Sequence, residues 1–209
     1  MPCMLMILDG WGIDAPGATN AISQANTPFL DHLQATCPGT KLNCAGEAVG
    51  LPEGIMGNSE VGHLNLGAGR VVYQVLMRID MAIKDETFFS NEALNTAMDK
   101  VKERQTALHL MGLVSDGGVH SQLTHLFALI DMAVRKKMDR VYIHAILDGR
   151  DTPPDGGAGY VDRLENYIKD KPGVKIASIC GRYYAMDRDT RWDRTQRAYQ
   201  LYTEATGTA

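Results

Sequence analysis

A chain of 209 residues can form one large or two small domains, and its 44% hydrophobic and 22% charged residues are typical of a globular protein. The formal net charge of −4 argues against a general attraction to nucleic acid or to anionic membranes. None of the four cysteines lies in a Cys-x-x-Cys pair, which favours reduced thiols in the cytoplasm over disulfides or a zinc site.

The first pattern in the chain is a short apolar run at residues 4–8, which predicts a buried strand. Asp9 follows it, and Gly10 and Gly12 allow a sharp turn there. Ligand sites of open α/β sheets lie beyond the carboxyl ends of strands, where a carboxylate commonly holds a divalent metal. The alternative is an aspartate that only begins a turn. The run is too short for a signal peptide or a membrane span, so we expect neither.

The polar triplet Asn58-Ser59-Glu60 predicts the start of a helix, because asparagine and serine are good N-cap residues. Unpaired N–H groups and the helix dipole favour an anion at such a start. A phosphate, or a serine oxygen that attacks one, needs this setting. The alternative is an ordinary cap on a surface helix, and we interpret the nearby His63 as structural.

Strand-like and helix-like patterns alternate through the rest of the chain. Apolar runs predict further strands at residues 107–114, 140–147 and 174–179. Amphipathic segments predict helices at residues 27–36, 91–104, 123–137, 160–169 and 191–203. This order indicates an α/β fold with a mostly parallel sheet and helices on its two faces.

Polar motifs follow each of the three later strands. If these strands are parallel neighbours, their carboxyl ends share one edge of the sheet, which would gather His120, Arg150, Asp151 and Arg182 there. Arg188 follows on the same loop as Arg182. Arginine forks bind carboxylates and phosphates, so this set suits a small and strongly anionic ligand. As alternatives, the arginines are solvated surface groups, His120 caps a helix and Asp151 is a turn residue.

Motifs with a recognisable order run from residue 4 to the end of the chain. They are Asp9–Gly12, Asn20–Ile22, Thr27–Pro28, Val49–Pro52, Met56–Arg70, Asp116–Ser121, Leu147–Pro154 and Gly181–Asp189. Together they resemble cofactor-independent phosphoglycerate mutase, the metal-dependent enzyme family that needs no 2,3-bisphosphoglycerate.

The resemblance implies a two-domain architecture and a metal cofactor. Residues 1–73 would be the first segment of an alkaline-phosphatase-like domain that carries the nucleophile and the metals. Residues 74–209 would be an inserted, incomplete α/β domain that binds substrate. Family members use two divalent ions, expected here to be Mn²⁺, and Asp9 and Ser59 match ligands of one of them.

The resemblance also implies the reaction and the roles of single residues. Ser59 matches the nucleophile that becomes phosphoserine while 3-phosphoglycerate and 2-phosphoglycerate interconvert in glycolysis and gluconeogenesis. Asp151 matches the general acid or base. His120, Arg150, Asp151, Arg182 and Arg188 match the substrate-binding set.

The expected partner is therefore the small phosphoglycerate substrate, with no nucleic acid or membrane partner, and the parent is expected to be a cytoplasmic monomer. Two alternatives stay open. One is another metal-dependent phosphatase or phosphomutase of the alkaline phosphatase superfamily, such as a phosphopentomutase. The other is a non-catalytic fragment that binds anions.

The chain differs from the family pattern after residue 189. The family's remaining metal ligands are Asp and His residues beyond the inserted domain, and the last 20 residues of the sequence hold no such cluster. The later arginines and a lysine near the phosphoryl group also have no match. We therefore expect the 209-residue polypeptide to lack mutase activity by itself, and measurable turnover of 3-phosphoglycerate would refute this.

Overall fold

The computed structural model describes residues 2–207. The chain divides into two compact units, one ending at Tyr73 and the other beginning at Gln74. The assignment of these parts to a metal-binding segment and a substrate-binding domain stays a prediction, because compactness does not test what either part does. Within residues 2–207, no helix has both the length and the apolar character needed to cross a membrane.

The first unit is built from short helices and loops. Its α-helices are α1 (Ala21–Gln24), α2 (Pro28–Thr36) and α3 (Ser59–Ala68), and a 3₁₀ turn lies at Gly46–Val49. Each start has a local cause: Asn20 caps α1 through its side chain, and Pro28 occupies the first turn of α2, where its missing N–H costs nothing. Little of this unit is buried beyond Val49 and Val61.

The prediction of a buried strand at residues 4–8 is wrong. The segment has no regular secondary structure, and its residues are exposed, from 83% at Met4 to 41% at Ile7. A strand needs a neighbour for its backbone hydrogen bonds, and within residues 2–207 none pairs with this segment. Asp9 and Gly10 form a turn instead, with Gly10 at a φ of 80°.

The second unit contains a parallel three-stranded sheet in the order β1-β2-β3. The strands are β1 (Leu108–Leu113), β2 (Val141–Leu147) and β3 (Val174–Gly181). Leu110 pairs with Ile143, which pairs with Ile176, so the three strands run in register until a shift after Ile143. The predicted α/β class with a mostly parallel sheet is confirmed.

Several helices of this unit contribute residues to the buried core around the sheet. The α-helices of the unit are α4 (Val75–Lys84), α5 (Glu92–Glu103), α6 (Leu123–Arg135), α7 (Gly157–Ile168), α8 (Arg182–Ala185) and α9 (Trp192–Glu204), with a 3₁₀ turn at Thr87–Ser90. Ile130 of α6 and Leu164 of α7 are fully buried with Ile143. This core fixes the strands from which the site loops emerge.

Candidate functional site

The loops after the three parallel strands meet through their side chains. The hydroxyl of Ser115, after β1, donates a 2.8 Å hydrogen bond to Asp148 Oδ2, after β2. Arg182, after β3, donates from Nη1 to Asp148 Oδ1 over 2.8 Å and to Asp151 Oδ2 over 2.6 Å. The parallel topology therefore brings polar groups from all three loops into one cluster.

The loop after β2 is shaped by its own first residue. Asp148 Oδ1 accepts hydrogen bonds from the backbone N–H of Arg150 at 3.1 Å and of Asp151 at 2.9 Å, the pattern of an Asx turn. Gly149 has a φ of 70°, and a Cβ there would lie 3.3 Å from Pro154 Cα. Glycine is therefore the residue that this turn favours, and the turn places Asp151 next to Arg182.

The electrostatics of the cluster favour its charged form. Burial by itself would raise the pKa of Asp148, but the Asp151 N–H, Arg182 and Ser115 hydrogen-bond its carboxylate and lower the pKa to about 2. Arg182 has a raised pKa, first because it hydrogen-bonds Asp151 and also because it pairs with Asp148. Two carboxylates thus share one guanidinium.

His120 lies at the open side of the cluster. Its Nε2 is 3.7 Å from Asp151 Oδ2, which is too long for a hydrogen bond but close enough for attraction when the ring is protonated. About half of its side chain is exposed, against 16% for Asp151. The two residues therefore lie where a ligand entering from solvent can reach them.

Arg150 and Arg188 are positioned differently. Both are exposed, and their guanidinium groups have no hydrogen bond, ion pair or ring contact with any other residue between 2 and 207. Only the backbone of Arg150 joins the cluster. The structure thus brings Asp151 and Arg182 into direct contact, places His120 beside them, and leaves these two arginine side chains in solvent.

Sequence reasoning missed Ser115 and Asp148 as site residues. Ser115 is 1% exposed, and the Asp148 side chain is 2% exposed. Both are polar residues that come almost directly after a buried strand, and this was the feature of the sequence that could have identified them. A further tether was also missed: Asp116 accepts hydrogen bonds from Tyr160 and from Arg163, which joins the loop after β1 to α7.

In the first unit, α3 begins at Ser59, as predicted. Asn58 caps it by accepting a 3.0 Å hydrogen bond from the Val61 N–H. The hydroxyl of Ser59 donates a 2.6 Å hydrogen bond to Asp9 Oδ2, and both residues are exposed. A nucleophile candidate and a carboxylate therefore meet at the positive end of a helix.

His63 lies one turn further along α3 and contacts Ser59. Its Nδ1 is 2.8 Å from the Ser59 carbonyl oxygen and 3.2 Å from the Ser59 hydroxyl oxygen. A carbonyl oxygen only accepts, so Nδ1 must carry a proton and donate it. The structural interpretation of His63 agrees with this contact.

Asp9 and Ser59 fit part of a metal site. Their side-chain oxygens lie close enough to face one cation, and hard divalent ions prefer oxygen donors. Within residues 2–207, no cluster of three or more His, Cys, Asp or Glu residues is arranged to hold a metal ion. Asp9 and Ser59 thus offer two oxygen donors and do not by themselves complete a metal site.

Comparisons with known proteins agree on one family. A family model described as the BPG-independent PGAM N-terminus matches residues 79–209. The 2,3-bisphosphoglycerate-independent phosphoglycerate mutase of Moorella thermoacetica is 59% identical over 206 residues, covering 99% of this chain and 40% of that protein. The Syntrophotalea carbinolica protein of the same name is 53% identical over 208 residues, covering 100% and 40%.

A solved structure is also similar. Phosphoglycerate mutase of Leishmania mexicana, crystallised at low cobalt concentration, matches with a TM-score of 0.68 and 36% identity, covering 93% of this chain and 37% of that one. The chain spans about 40% of the length of the curated relatives it matches.

Proposed function

Because the chain belongs to the family of BPG-independent phosphoglycerate mutase N-termini, we propose that its parent protein interconverts 3-phosphoglycerate and 2-phosphoglycerate. The observation that carries this proposal is the 2.6 Å contact between Arg182 and Asp151 at the edge of the sheet. A phosphoglycerate has a carboxylate for a guanidinium to bind and a hydroxyl whose proton a carboxylate can take. This contact supplies both groups side by side.

Residues 1–73 supply the nucleophile in this proposal. The Ser59 hydroxyl loses its proton to its hydrogen-bond acceptor Asp9, and its oxygen bonds to the phosphorus of 3-phosphoglycerate while the bond from phosphorus to the glycerate oxygen breaks. Phosphoserine forms, and the start of α3 favours the phosphoryl oxygens. Asp9 orients the Ser59 hydroxyl by accepting its hydrogen bond. His63 also contacts this side chain, with Nδ1 3.2 Å from the Ser59 hydroxyl oxygen.

Asp9 and Ser59 would also hold one divalent ion, which we propose to be Mn²⁺, and the parent would hold a second. When bound, such an ion makes a serine hydroxyl a stronger nucleophile. The oxygen donors of both residues suit a hard cation.

Residues 74–209 hold the glycerate in this proposal. Arg182 binds its carboxylate, and three exposed residues, Arg150, Arg188 and His120, bind the rest of the molecule. As a carboxylate bound to Arg182, Asp151 takes a proton from the hydroxyl that next attacks phosphoserine and passes it to the glycerate oxygen that has departed from phosphorus. The glycerate must stay bound and reorient between these steps, which requires that water be kept out.

We further propose that the parent is a cytoplasmic monomer whose partner is this small substrate and that it acts in glycolysis and gluconeogenesis. Two alternatives make different predictions. A phosphopentomutase would take phosphate from a pentose phosphate. A non-catalytic module would bind the anion without becoming phosphorylated.

Phosphate trapping in the parent protein tests the proposal. The metal-loaded parent is mixed with 3-phosphoglycerate labelled in its phosphate and is then quenched. We expect label on Ser59, no label after Ser59→Ala, and normal labelling in the control Ser90→Ala, which alters an exposed serine outside the site. Label from a pentose phosphate alone would support the phosphopentomutase, and binding without label would support the module.

A further inference from the structure

The carboxylate of Asp148 joins all three site loops yet does not face the ligand. It accepts hydrogen bonds from the Ser115 hydroxyl, from the N–H groups of Arg150 and Asp151, and from Arg182. Its side chain is 2% exposed, so a substrate at the edge of the sheet cannot touch it. Its contribution must therefore act through the residues that it holds.

Arg182 is the residue whose position depends most on this contact. Its Nη1 is shared between Asp148 Oδ1 and Asp151 Oδ2, at 2.8 and 2.6 Å. No other residue between 2 and 207 hydrogen-bonds the guanidinium, and 11% of the side chain is exposed, so Nε and Nη2 are the donors that remain for an anion. Two carboxylates thus fix one nitrogen and leave the others for a ligand.

The two carboxylates differ in what happens to them in the proposed reaction. Asp151 takes up and releases a proton, and once protonated it loses most of its attraction for a guanidinium. Asp148 is buried and hydrogen-bonded on both oxygens, which keeps it charged throughout. We propose that Asp148 is a positioning residue that holds Arg182 in its substrate-binding place while Asp151 changes its protonation state. This inference rests on the proposed function.

The loop geometry supports the same role. Asp148 binds the Asp151 N–H as well as Arg182, so it fixes both partners of the contact relative to β2. The pKa of Asp148 is about 2, so it stays ionised at neutral pH. The Ser115 hydroxyl donates a hydrogen bond to the second oxygen of Asp148, which holds the carboxylate in its orientation.

The test compares Asp148→Asn with Asp151→Asn in the metal-loaded parent protein. Asp148→Asn keeps an oxygen for the two backbone N–H groups but removes the charge that holds Arg182. Arg182 is then held by Asp151 alone. Because small misplacements of binding groups cost about 100-fold in rate, we expect kcat/KM to fall by about that factor with KM raised about 10-fold. Asp151→Asn leaves Arg182 on Asp148, so kcat should fall while KM changes less than about 3-fold.

Asp131→Asn is the matched control. Asp131 also accepts a side-chain hydrogen bond, from Tyr167, but it lies outside the site. It should change neither constant. If Asp148→Asn leaves KM unchanged, or if Asp151→Asn raises KM as much as Asp148→Asn does, the positioning role is wrong. If Asp148→Asn does not fold, Ser115→Ala replaces it. That variant frees one oxygen of Asp148 and should raise KM about 3-fold, and an unchanged KM would overturn the role.

Binding separates this inference from the proposed function. If the wild-type parent has no mutase activity, the proposed function fails, but the Kd for 3-phosphoglycerate still compares the two variants by calorimetry. Weaker binding in Asp148→Asn than in Asp151→Asn would uphold the positioning of Arg182. Equal or tighter binding in Asp148→Asn, or no binding by the wild-type parent, would overturn it.

Discussion

The Ser59 hydroxyl donates a hydrogen bond to Asp9 although the two residues are 50 positions apart in the chain. The contact joins the turn after residue 8 to the first residue of α3. Under the proposed function, the same two oxygens would bind a divalent ion.

The first prediction concerns this pair. Asp9→Ala removes a charged oxygen donor, so we expect the parent protein to bind Mn²⁺ at least about 10-fold more weakly at one site. Equilibrium dialysis with metal analysis measures this directly. Asp14→Ala is the control, because among residues 2–207 the Asp14 carboxylate accepts only from the neighbouring Ala15 N–H, so this variant should bind metal as the wild type does. Equal Mn²⁺ affinity in Asp9→Ala would exclude Asp9 as a ligand.

A second prediction concerns Gly57, which precedes the cap of α3. A Cβ at this position would lie 1.8 Å from the Cys44 carbonyl oxygen, a backbone atom that cannot move aside cheaply. We expect Gly57→Ala to lower the free energy of unfolding of the first unit by about 3 kcal/mol or more. Limited proteolysis under native conditions, followed within residues 1–73 of the parent, measures the loss.

Gly62→Ala provides the matched comparison in the same unit. Gly62 lies inside α3, and beyond its own helix and chain neighbours no heavy atom of the described residues lies within 4 Å of the place a Cβ would take. Alanine favours a helix over glycine by about 1 kcal/mol, so this variant should resist proteolysis as well as or better than the wild type. Similar losses in both variants would show that the close approach to Cys44 is not the cause.

Local pattern is sufficient to predict most of the second unit, although α4 and α8 have no predicted counterpart. Strands β1, β2 and β3 and the longer helices after residue 90 lie within a few residues of the predicted bounds, because each has a clear hydrophobic period. The run at residues 4–8 has the same apolar character and still forms no strand. The hydrophobic pattern of a segment does not tell whether another strand is available to pair with it, because tertiary contacts decide this.

Topology predicts which loops meet, but not which atoms. The rule for parallel strands places Arg182 near Asp151 from the order of elements alone. Aspartate is a common turn residue, so this rule gives no reason to expect Asp148 to be the buried centre of the cluster. It also cannot show that the Arg150 side chain lies in solvent, because side-chain direction depends on the turn that Asp148 forms.

A third prediction concerns the core beneath the site. Ile143 is 1% exposed in the central strand β2, so Ile143→Ala should lower the free energy of unfolding by about 2–5 kcal/mol through lost burial and a cavity. Ile179 of β3 is 47% exposed, and Ile179→Ala should cost about 1 kcal/mol or less. Urea unfolding of the two variants measures both values. Equal losses would contradict the packing described for β2.

The last prediction follows from the pKa of Asp148, about 2 in the folded protein against an ordinary value of 3.8. Burial would raise this pKa, but the hydrogen bonds to the carboxylate lower it, so the folded state favours the charged form. Asp148 therefore stabilises the fold fully above about pH 4, by about 2 kcal/mol, and this contribution is lost as the pH falls toward 2.

Urea unfolding of the wild type and Asp148→Asn between pH 6 and 2.5 measures this contribution. The difference in unfolding free energy should shrink as the pH falls. A difference for Asp148→Asn that does not vary with pH would mean that the charge of Asp148 contributes nothing to the fold.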